Sequence, residues 1–366
     1  MNLTKRKIFI LVLALLSGLA LFIFTRHDAF MYQQPVGKVE QARLLSTRTT
    51  KDTFNNRDRQ SRQELKLRIL NGKYKGKTVK LINTYSASGG LDQKFGPNQQ
   101  VFLTLTKKNG QVQGQIQNYK RDTYLLMLVW LTVVLLLLTL QFKGLWVLFS
   151  VALNFVLFLI FIQLDVQLNL TYFFWLFALS ALLFTGLSLL LVIGWNKQCG
   201  VIFTAVTAGT VLGLAVGYLC LMATGSRGVH YEALDFATQS PEQLFFSATV
   251  IGLLGAVMDA ATDIVSTVFE LKRTEPQISR NQLFKSGQQV GKAIMGPLIN
   301  VLLMIFFADT IVMAVLFLRT GNSIAYTFEW TMALGVVQSL ISGIGIVLVI
   351  PTASALSAFV LGRDEQ

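Results

Sequence analysis

The sequence predicts an α-helical polytopic membrane protein of about eight transmembrane helices, with a small all-β domain, an OB-like or SH3-like barrel, between the first two helices. Apolar stretches of membrane-spanning length recur along the chain. Hydrophobic residues make up 53% of the 366 residues and charged residues only 14%, which disfavours a soluble enzyme. Residues 25–123 carry 19 Lys or Arg against 7 Asp or Glu, so most of the net charge of +13 lies in one polar stretch.

The first predicted helix is an uncleaved membrane anchor within residues 1–25. Lys5, Arg6 and Lys7 precede an apolar run at 8–24, an arrangement shared with secretory signal peptides. No small-x-small cleavage pattern follows this run. We therefore expect the segment to remain in the protein as a transmembrane helix.

Residues 26–121 form the predicted β-domain. Leu65 and Leu67 alternate with charged neighbours, and the Lys-Asn-Gly at 108–110 is typical of a hairpin turn. Five short strands fit, which favours a small barrel. Its basic charge would attract anionic lipid headgroups or an anionic cell-wall polymer, whereas nucleic acid is disfavoured by the domain's predicted location outside the cell membrane.

Residues 122–366 are predicted to form a seven-helix transmembrane bundle. Its apolar segments lie near 124–140, 145–162, 171–193, 200–223, 244–269, 293–318 and 330–360. With the N-terminus inside, eleven Lys or Arg fall in segments predicted to be cytoplasmic and two in short outer loops. This bias predicts cytoplasmic N- and C-termini, a cytoplasmic loop at 271–292, and an extracytoplasmic domain at 26–121.

The sharpest functional signal is a row of polar residues on the sixth apolar segment. Asp259, Asp263, Ser266 and Glu270 fall on one helical face. Taking Lys272 as the water boundary, Asp263 lies ~14 Å and Asp259 ~20 Å inside a core ~30 Å thick. A carboxylate that deep costs at least ~2.5 kcal/mol. The pair could share a proton or cation, or could hydrogen-bond to a neighbouring helix and hold the bundle together.

Small residues accompany the acidic face. Gly252 and Gly255 lie on it, and Gln338 and Ser342 of the last segment could meet it. The opposite face of the sixth segment is predicted to contact lipid; it carries Val257, Ile264, Val265 and Val268.

Glycine and proline predict packing and bending elsewhere in the bundle. A packing face is indicated by small residues at four-residue spacing, Gly209, Gly213 and Gly217. A hinge is predicted near the start of the seventh segment, at Gly291, Gly296 and Pro297, and a kink or break near Pro351. Asn300 places an amide one turn beyond this hinge, where it could hydrogen-bond to the acidic face.

Catalytic and metal-binding motifs are missing from the sequence. The glycines at 72 and 76 are spaced too closely for a phosphate-binding loop. An aspartyl protease would need aspartates from two facing helices, whereas Asp259 and Asp263 share one. There is no GxSxG or HExxH pattern, and the chain has only two histidines. We expect no enzyme activity, no cofactor and no metal.

Three stretches resemble the YibE/F-like membrane proteins of bacteria. They are GAVMDAATDIVSTVFEL (255–271), LFKSGQQVGKAIMGPLIN (283–300) and LNGKYKGKTVKLINTYS (70–86). The resemblance implies a multi-pass protein of the bacterial cell membrane. For members with an outer domain it also implies a shorter relative as hetero-oligomer partner. Asp259, Glu270, Gly291, Gly296 and Asn300 match the family pattern; Ala293 and Pro297 depart from it, where Asp and Thr are usual.

Two functions fit these observations. In the first, the protein is a transporter or permease component, in which Asp259, with Asp263, binds a proton or small cation and couples it to solute movement. In the second, it is a non-transporting envelope module whose basic domain binds anionic wall or lipid polymers or a partner membrane protein, while the carboxylates serve packing.

Overall fold

A computed structural model describes residues 3–89, 92–108, 111–140, 143–168, 172–233 and 240–362. The chain divides into two compact units, Met1–Gln141 and Phe142–Gln366. Among the described residues, eight helices are long and apolar enough to cross a membrane. The predicted number of transmembrane helices is confirmed.

The first unit holds two membrane helices and the β-domain between them. Its helices are α1 (Leu3–His27) and α2 (Asp122–Leu140), and a 3-10 turn follows α1 at Asp28–Met31. The five strands are β1 (Val36–Lys51), β2 (Arg57–Ile69), β3 (Thr78–Ser86), β4 (Gln100–Lys108) and β5 (Gln111–Tyr119). The strands pair antiparallel in the order β3-β2-β1-β4-β5, which confirms a small all-β domain.

The sheet curls so that its two edge strands approach each other. A Cβ on Gly114 of β5 would lie 3.3 Å from Cγ1 of Val79 on β3. Buried residues inside the curl alternate with outward-facing residues along the strands. On β2, for example, Leu65 and Leu67 are each 0% exposed. A five-stranded antiparallel sheet closed in this way is OB-like, because β1 pairs with both β2 and β4 while β3 and β5 meet at the seam.

The second unit is entirely helical in its described residues. Its helices are α3 (Lys143–Leu168), α4 (Phe174–Val192), α5 (Lys197–Ala223), α6 (Pro241–Thr274), α7 (Arg280–Arg319), α8 (Ile324–Thr331) and α9 (Ala333–Leu361), with a 3-10 turn at Tyr231–Ala233. All except α8 are of membrane-spanning length. Helix α6 is central, since it packs against α4, α5, α7 and α9.

The connection between α6 and α7 is much shorter than predicted. Helix α7 starts early because Ser279 and Gln282 form a capping box at its N-terminus. Helix α6 extends to Thr274, so only residues 275–279 connect the two helices. The predicted loop at 271–292 is therefore helical over most of its length.

The last apolar segment is interrupted at its start and not at its proline. The interruption lies at Met332, between α8 and α9. Of the predicted kink or break near Pro351, the break is wrong, because helix α9 continues through this residue. Proline removes the hydrogen bond to the carbonyl four residues earlier, here that of Val347, and helices packed in a bundle tolerate this loss.

Candidate functional site

The acidic face of α6 is the side of this helix that the rest of the unit leaves uncovered. Gly252, Gly255, Asp259, Asp263 and Glu270 are all exposed. The opposite, apolar face is buried, and its members are each 0% exposed: Val257, Ile264, Val265 and Val268. The prediction that this apolar face contacts lipid is wrong. An apolar side chain is equally satisfied by lipid or by a neighbouring helix, so its pattern does not distinguish the two.

Asp259 and Asp263 lie one turn apart, ~6 Å along the axis. Among the residues that the structure describes, neither carboxylate has a hydrogen-bond or ion-pair partner. Within the described ranges, one hydrogen bond from a side chain reaches these two residues, and it goes to the backbone: Thr267 Oγ1 donates to the Asp263 carbonyl at 2.7 Å. Neither side chain therefore holds α6 to a neighbouring helix within the described part of the chain.

Ser266 and Glu270 lie beside a separate groove near the end of α6. Ser266 Oγ accepts a hydrogen bond from Gln198 Nε2 of α5 at 2.9 Å. Glu270 pairs with Arg273 of its own helix at 2.9 Å. Both residues line a groove of about 570 Å³. Ser266 and Glu270 occupy the same face as the two aspartates. Within the described ranges they have hydrogen-bond or ion-pair partners, whereas the two aspartate side chains have none.

A larger cavity begins at the other end of the acidic face. Gln338 of α9 meets α6 there, because a Cβ on Gly252 would lie 3.3 Å from Gln338 Nε2. Gln338 also lines a cavity of about 710 Å³ together with Glu232, Asp309 and Glu329. The sequence indicated that Gln338 could meet α6 but contained no sign of the cavity, because its acids come from three elements far apart in the chain.

The predicted hinge residues of α7 do not interrupt the helix, which is continuous from Arg280 to Arg319. Gly291 is buried against Ile350 of α9, and a side chain at this glycine would collide with it. Gly296, Pro297 and Asn300 are exposed. Among the described residues the Asn300 amide makes no hydrogen bond, so the one predicted with the acidic face is not formed.

The glycines of α5 lie against α9. A Cβ on Gly209 would lie 2.8 Å from Val349 Cβ, and one on Gly217 would lie 2.7 Å from Ile341 Cγ1. At Gly213 the neighbour is backbone, since a Cβ would lie 2.9 Å from the Cα of Gly345. The small-residue face therefore packs within the chain.

The first unit contains a buried ion cluster that the sequence did not indicate. Lys120 Nζ lies 2.7 Å from Asp28 Oδ1 and 2.6 Å from Asp122 Oδ2, and it donates to the Thr25 carbonyl at 2.7 Å. Tyr32 donates to Asp122 Oδ2 at 3.0 Å. Burial, aided by the bond to Asp122, raises the pKa of Tyr32 above its ordinary value, so the phenol keeps its proton.

His230 contacts two carboxylates that line the large cavity. Its Nε2 lies 2.8 Å from Glu329 Oε1 and its Nδ1 lies 3.7 Å from Glu232 Oε1. Its ring stacks on Trp330 at 4.7 Å between centroids. The imidazole therefore joins the loop after α5 to α8.

We expect His230 to titrate above the ordinary histidine value of about 6.5, because the hydrogen bond to Glu329 raises its pKa, with Glu232 adding to the effect. The raised pKa contributes stability that is fully present below the unfolded value and is lost as pH rises through the folded value. A histidine NMR titration of the full chain measures it, with His27→Asn removing the other histidine signal. Glu329→Gln should return the pKa toward about 6.5; an unchanged pKa in that variant would contradict the pairing.

Two family models match the chain. Residues 128–363 match the model described as YibE/F-like protein. Residues 30–119 match the model described as YibE/F family N-terminal domain. No curated protein and no solved structure matches the chain significantly.

Proposed function

The chain belongs to the YibE/F-like family, and from the acidic face of α6 we propose that this membrane protein is a transporter or permease component. In this proposal Asp259 and Asp263 bind a proton or a small cation and couple its movement to that of a solute. No covalent step is involved.

One observation carries the proposal: the two carboxylates lack partners among the described residues although they lie deep in an apolar helix. A charged carboxylate in contact with lipid at this depth is costly. A proton shared between neighbouring acids, or a bound cation, removes most of that cost. The site is therefore suited to holding a positive charge that can leave.

We propose that the large cavity gives this site a route to one end of the bundle. It reaches Gln338, which meets Gly252 at the first turn of the acidic face. Asp259 lies seven positions after Gly252, or ~11 Å along the helix. The groove at Ser266 and Glu270 opens at the other end of the same face. Polar or small positions thus follow the face of α6 along most of its length.

A second protein could close the uncovered face. Exposed small and polar residues inside a membrane favour contact with another helix, and Gly255 and Gly296 have open space where a Cβ would be. We propose that the shorter relative implied by the family resemblance packs here. The flux experiment is therefore made with the chain alone and together with that relative.

Asp259→Asn is expected to reduce proton or cation flux in proteoliposomes to the level of protein-free vesicles, because an amide cannot take up and release a proton. Thermal stability should remain equal or rise, since a desolvated carboxylate is removed. Proton flux is followed with a trapped pH-sensitive dye, and cation flux with isotopes.

Glu275→Gln is the matched control, because Glu275 is an exposed carboxylate at the end of the same helix. It should leave flux unchanged. Absence of flux in folded wild-type protein, with or without the relative, would reject transport. Full flux in Asp259→Asn would remove Asp259 from the mechanism.

The envelope-module function has one structural feature in its favour. The far ends of β1 and β2, from Thr49↔Arg59 to Lys51↔Arg57, extend past the last pairs that these strands form with β3 and β4. The ribbon and the residues beside it carry four exposed cations, Arg48, Lys51, Arg57 and Arg59, against the two carboxylates of Asp52 and Asp58. This net positive charge suits an anionic polymer. This alternative would be favoured if the protein shows no flux and if deleting residues 30–120 abolishes its binding to an anionic polymer or a partner protein.

A further inference from the structure

The cavity between α7, α8 and α9 has the chemistry of a receptor for an organic cation. Its volume of about 710 Å³ is within the range of small-molecule sites. Three carboxylates line it, Glu232, Asp309 and Glu329, and no Lys or Arg is among its described lining residues. Glu232 and Glu329 already face His230, and carboxylates in one cavity favour a cationic ligand beside them.

Asp309 is the carboxylate best placed to receive such a ligand. Glu329 and Glu232 already face the imidazole of His230 on one side of the cavity. The Asp309 side chain, on α7, has no hydrogen-bond or ion-pair partner within the described ranges. A ligand in the cavity would therefore find one carboxylate that is not shared with a cationic side chain there.

Aromatic rings form the second component. Phe317 and Tyr326 stack with centroids 6.3 Å apart, and the centroids of Tyr326 and Trp330 lie 6.0 Å apart. All three rings line the cavity. The face of an aromatic ring attracts a cation, and clusters of such faces recognise substituted ammonium groups.

The arrangement favours a ligand several ångströms across over a single metal ion. The carboxylates come from three elements: Glu232 from the 3-10 turn, Asp309 from α7 and Glu329 from α8. Within the described ranges no three His, Cys, Asp or Glu side chains are grouped to hold a metal. A substituted ammonium can instead contact ring faces and a carboxylate at once.

We propose that this cavity binds a substituted ammonium ion, with Asp309 and Glu329 opposing its charge and Trp330 and Tyr326 contacting its alkyl groups. The inference deepens the proposed function. It rests on that function only for movement of the ligand from the cavity past Gln338 and along the acidic face of α6. Binding itself does not require transport.

The test uses choline and its uncharged isostere 3,3-dimethylbutan-1-ol, with binding to the full chain in nanodiscs measured by calorimetry. Choline should bind and the isostere should not. Asp309→Asn and Trp330→Leu should each weaken choline binding at least tenfold, about 1.4 kcal/mol. Glu242→Gln changes a carboxylate of α6 that lines a different cavity, with Tyr218 and Phe246, and should bind choline as wild type does.

Glu329→Gln provides an independent variant and should also weaken choline binding. Asp309 and Glu329 lie on different helices, so the two substitutions are not expected to cause the same folding defect. Thermal unfolding checks that each variant is folded. Equal binding of the isostere, unchanged binding in the double variant Asp309→Asn/Glu329→Gln, or no choline binding to folded wild type would each overturn the inference.

The outcomes separate this inference from transport. Choline binding without any flux would leave the receptor site standing and reject the transporter. Flux that depends on Asp259, without choline binding, would support the transporter and reject this ligand class.

Discussion

Lys120→Met is expected to destabilise the first unit by on the order of 3–5 kcal/mol, the usual cost of removing one partner from a buried ion pair. The Lys120 side chain is 1% exposed and that of Asp28 is 6% exposed. Without the ammonium, the carboxylates of Asp28 and Asp122 remain close together without a cation. The Thr25 carbonyl also loses its donor.

The measurement is hydrogen exchange of peptides from β1–β5 in the full chain, with thermal unfolding in the same detergent. Exchange should accelerate across the domain, and the midpoint should fall by more than about 10 °C. The double variant Lys120→Met/Asp28→Asn should be less destabilised than the sum of the single variants, because the two residues act as one network.

Lys66→Met is the matched control in the same domain. Lys66 pairs with Glu40 at 3.6 Å with its side chain 40% exposed, and such surface pairs contribute about 0–1 kcal/mol. If the two lysine variants unfold at the same midpoint, the cluster does not stabilise the fold.

Gly213→Ala is expected to destabilise the second unit by about 1–3 kcal/mol or more, the cost of overpacking. The new Cβ would lie 2.9 Å from Gly345 Cα and 3.2 Å from Gly345 N. Backbone atoms cannot rotate away as a side chain can, so α5 and α9 must separate. Separation would also loosen their contacts with Leu253 of α6, whose Cδ2 lies 3.3 Å from the same Cβ.

Gly200→Ala is its control on the same helix, since nothing lies within 4 Å of a Cβ at Gly200. Alanine there should be neutral or stabilising by up to about 1 kcal/mol through helix propensity. Thermal unfolding of both variants in one detergent distinguishes the two outcomes. Similar unfolding midpoints would show that α5 and α9 can move apart at little cost in stability.

Length and periodicity were enough to predict much of the fold. Eight apolar segments correspond to eight helices, and the alternation at Leu65 and Leu67 marked a buried strand face. Whether an apolar helix face contacts another helix or lipid could not be predicted in the same way. On α6, Ile264 and Val268 are fully buried against other helices, yet the same apolar pattern would suit a face in contact with lipid.

The remaining differences arise from contacts between distant parts of the chain. Pro351 predicted a kink or break, yet α9 is continuous through it, whereas Met332, which carries no breaking signal, separates α8 from α9. Lys120 is one of many lysines in a basic stretch, and nothing local marks it as buried. Its role depends on Asp28, more than ninety residues earlier in the chain.

This separation sets an order of events during synthesis. Asp28 and Tyr32 leave the ribosome long before Lys120, and at about 5–20 residues per second they wait roughly 5–20 s for it. All five strands lie between them in the chain. The ion cluster can therefore form only after the whole β-domain has been made, so it is among the last contacts of that domain and links its completion to the arrival of α2.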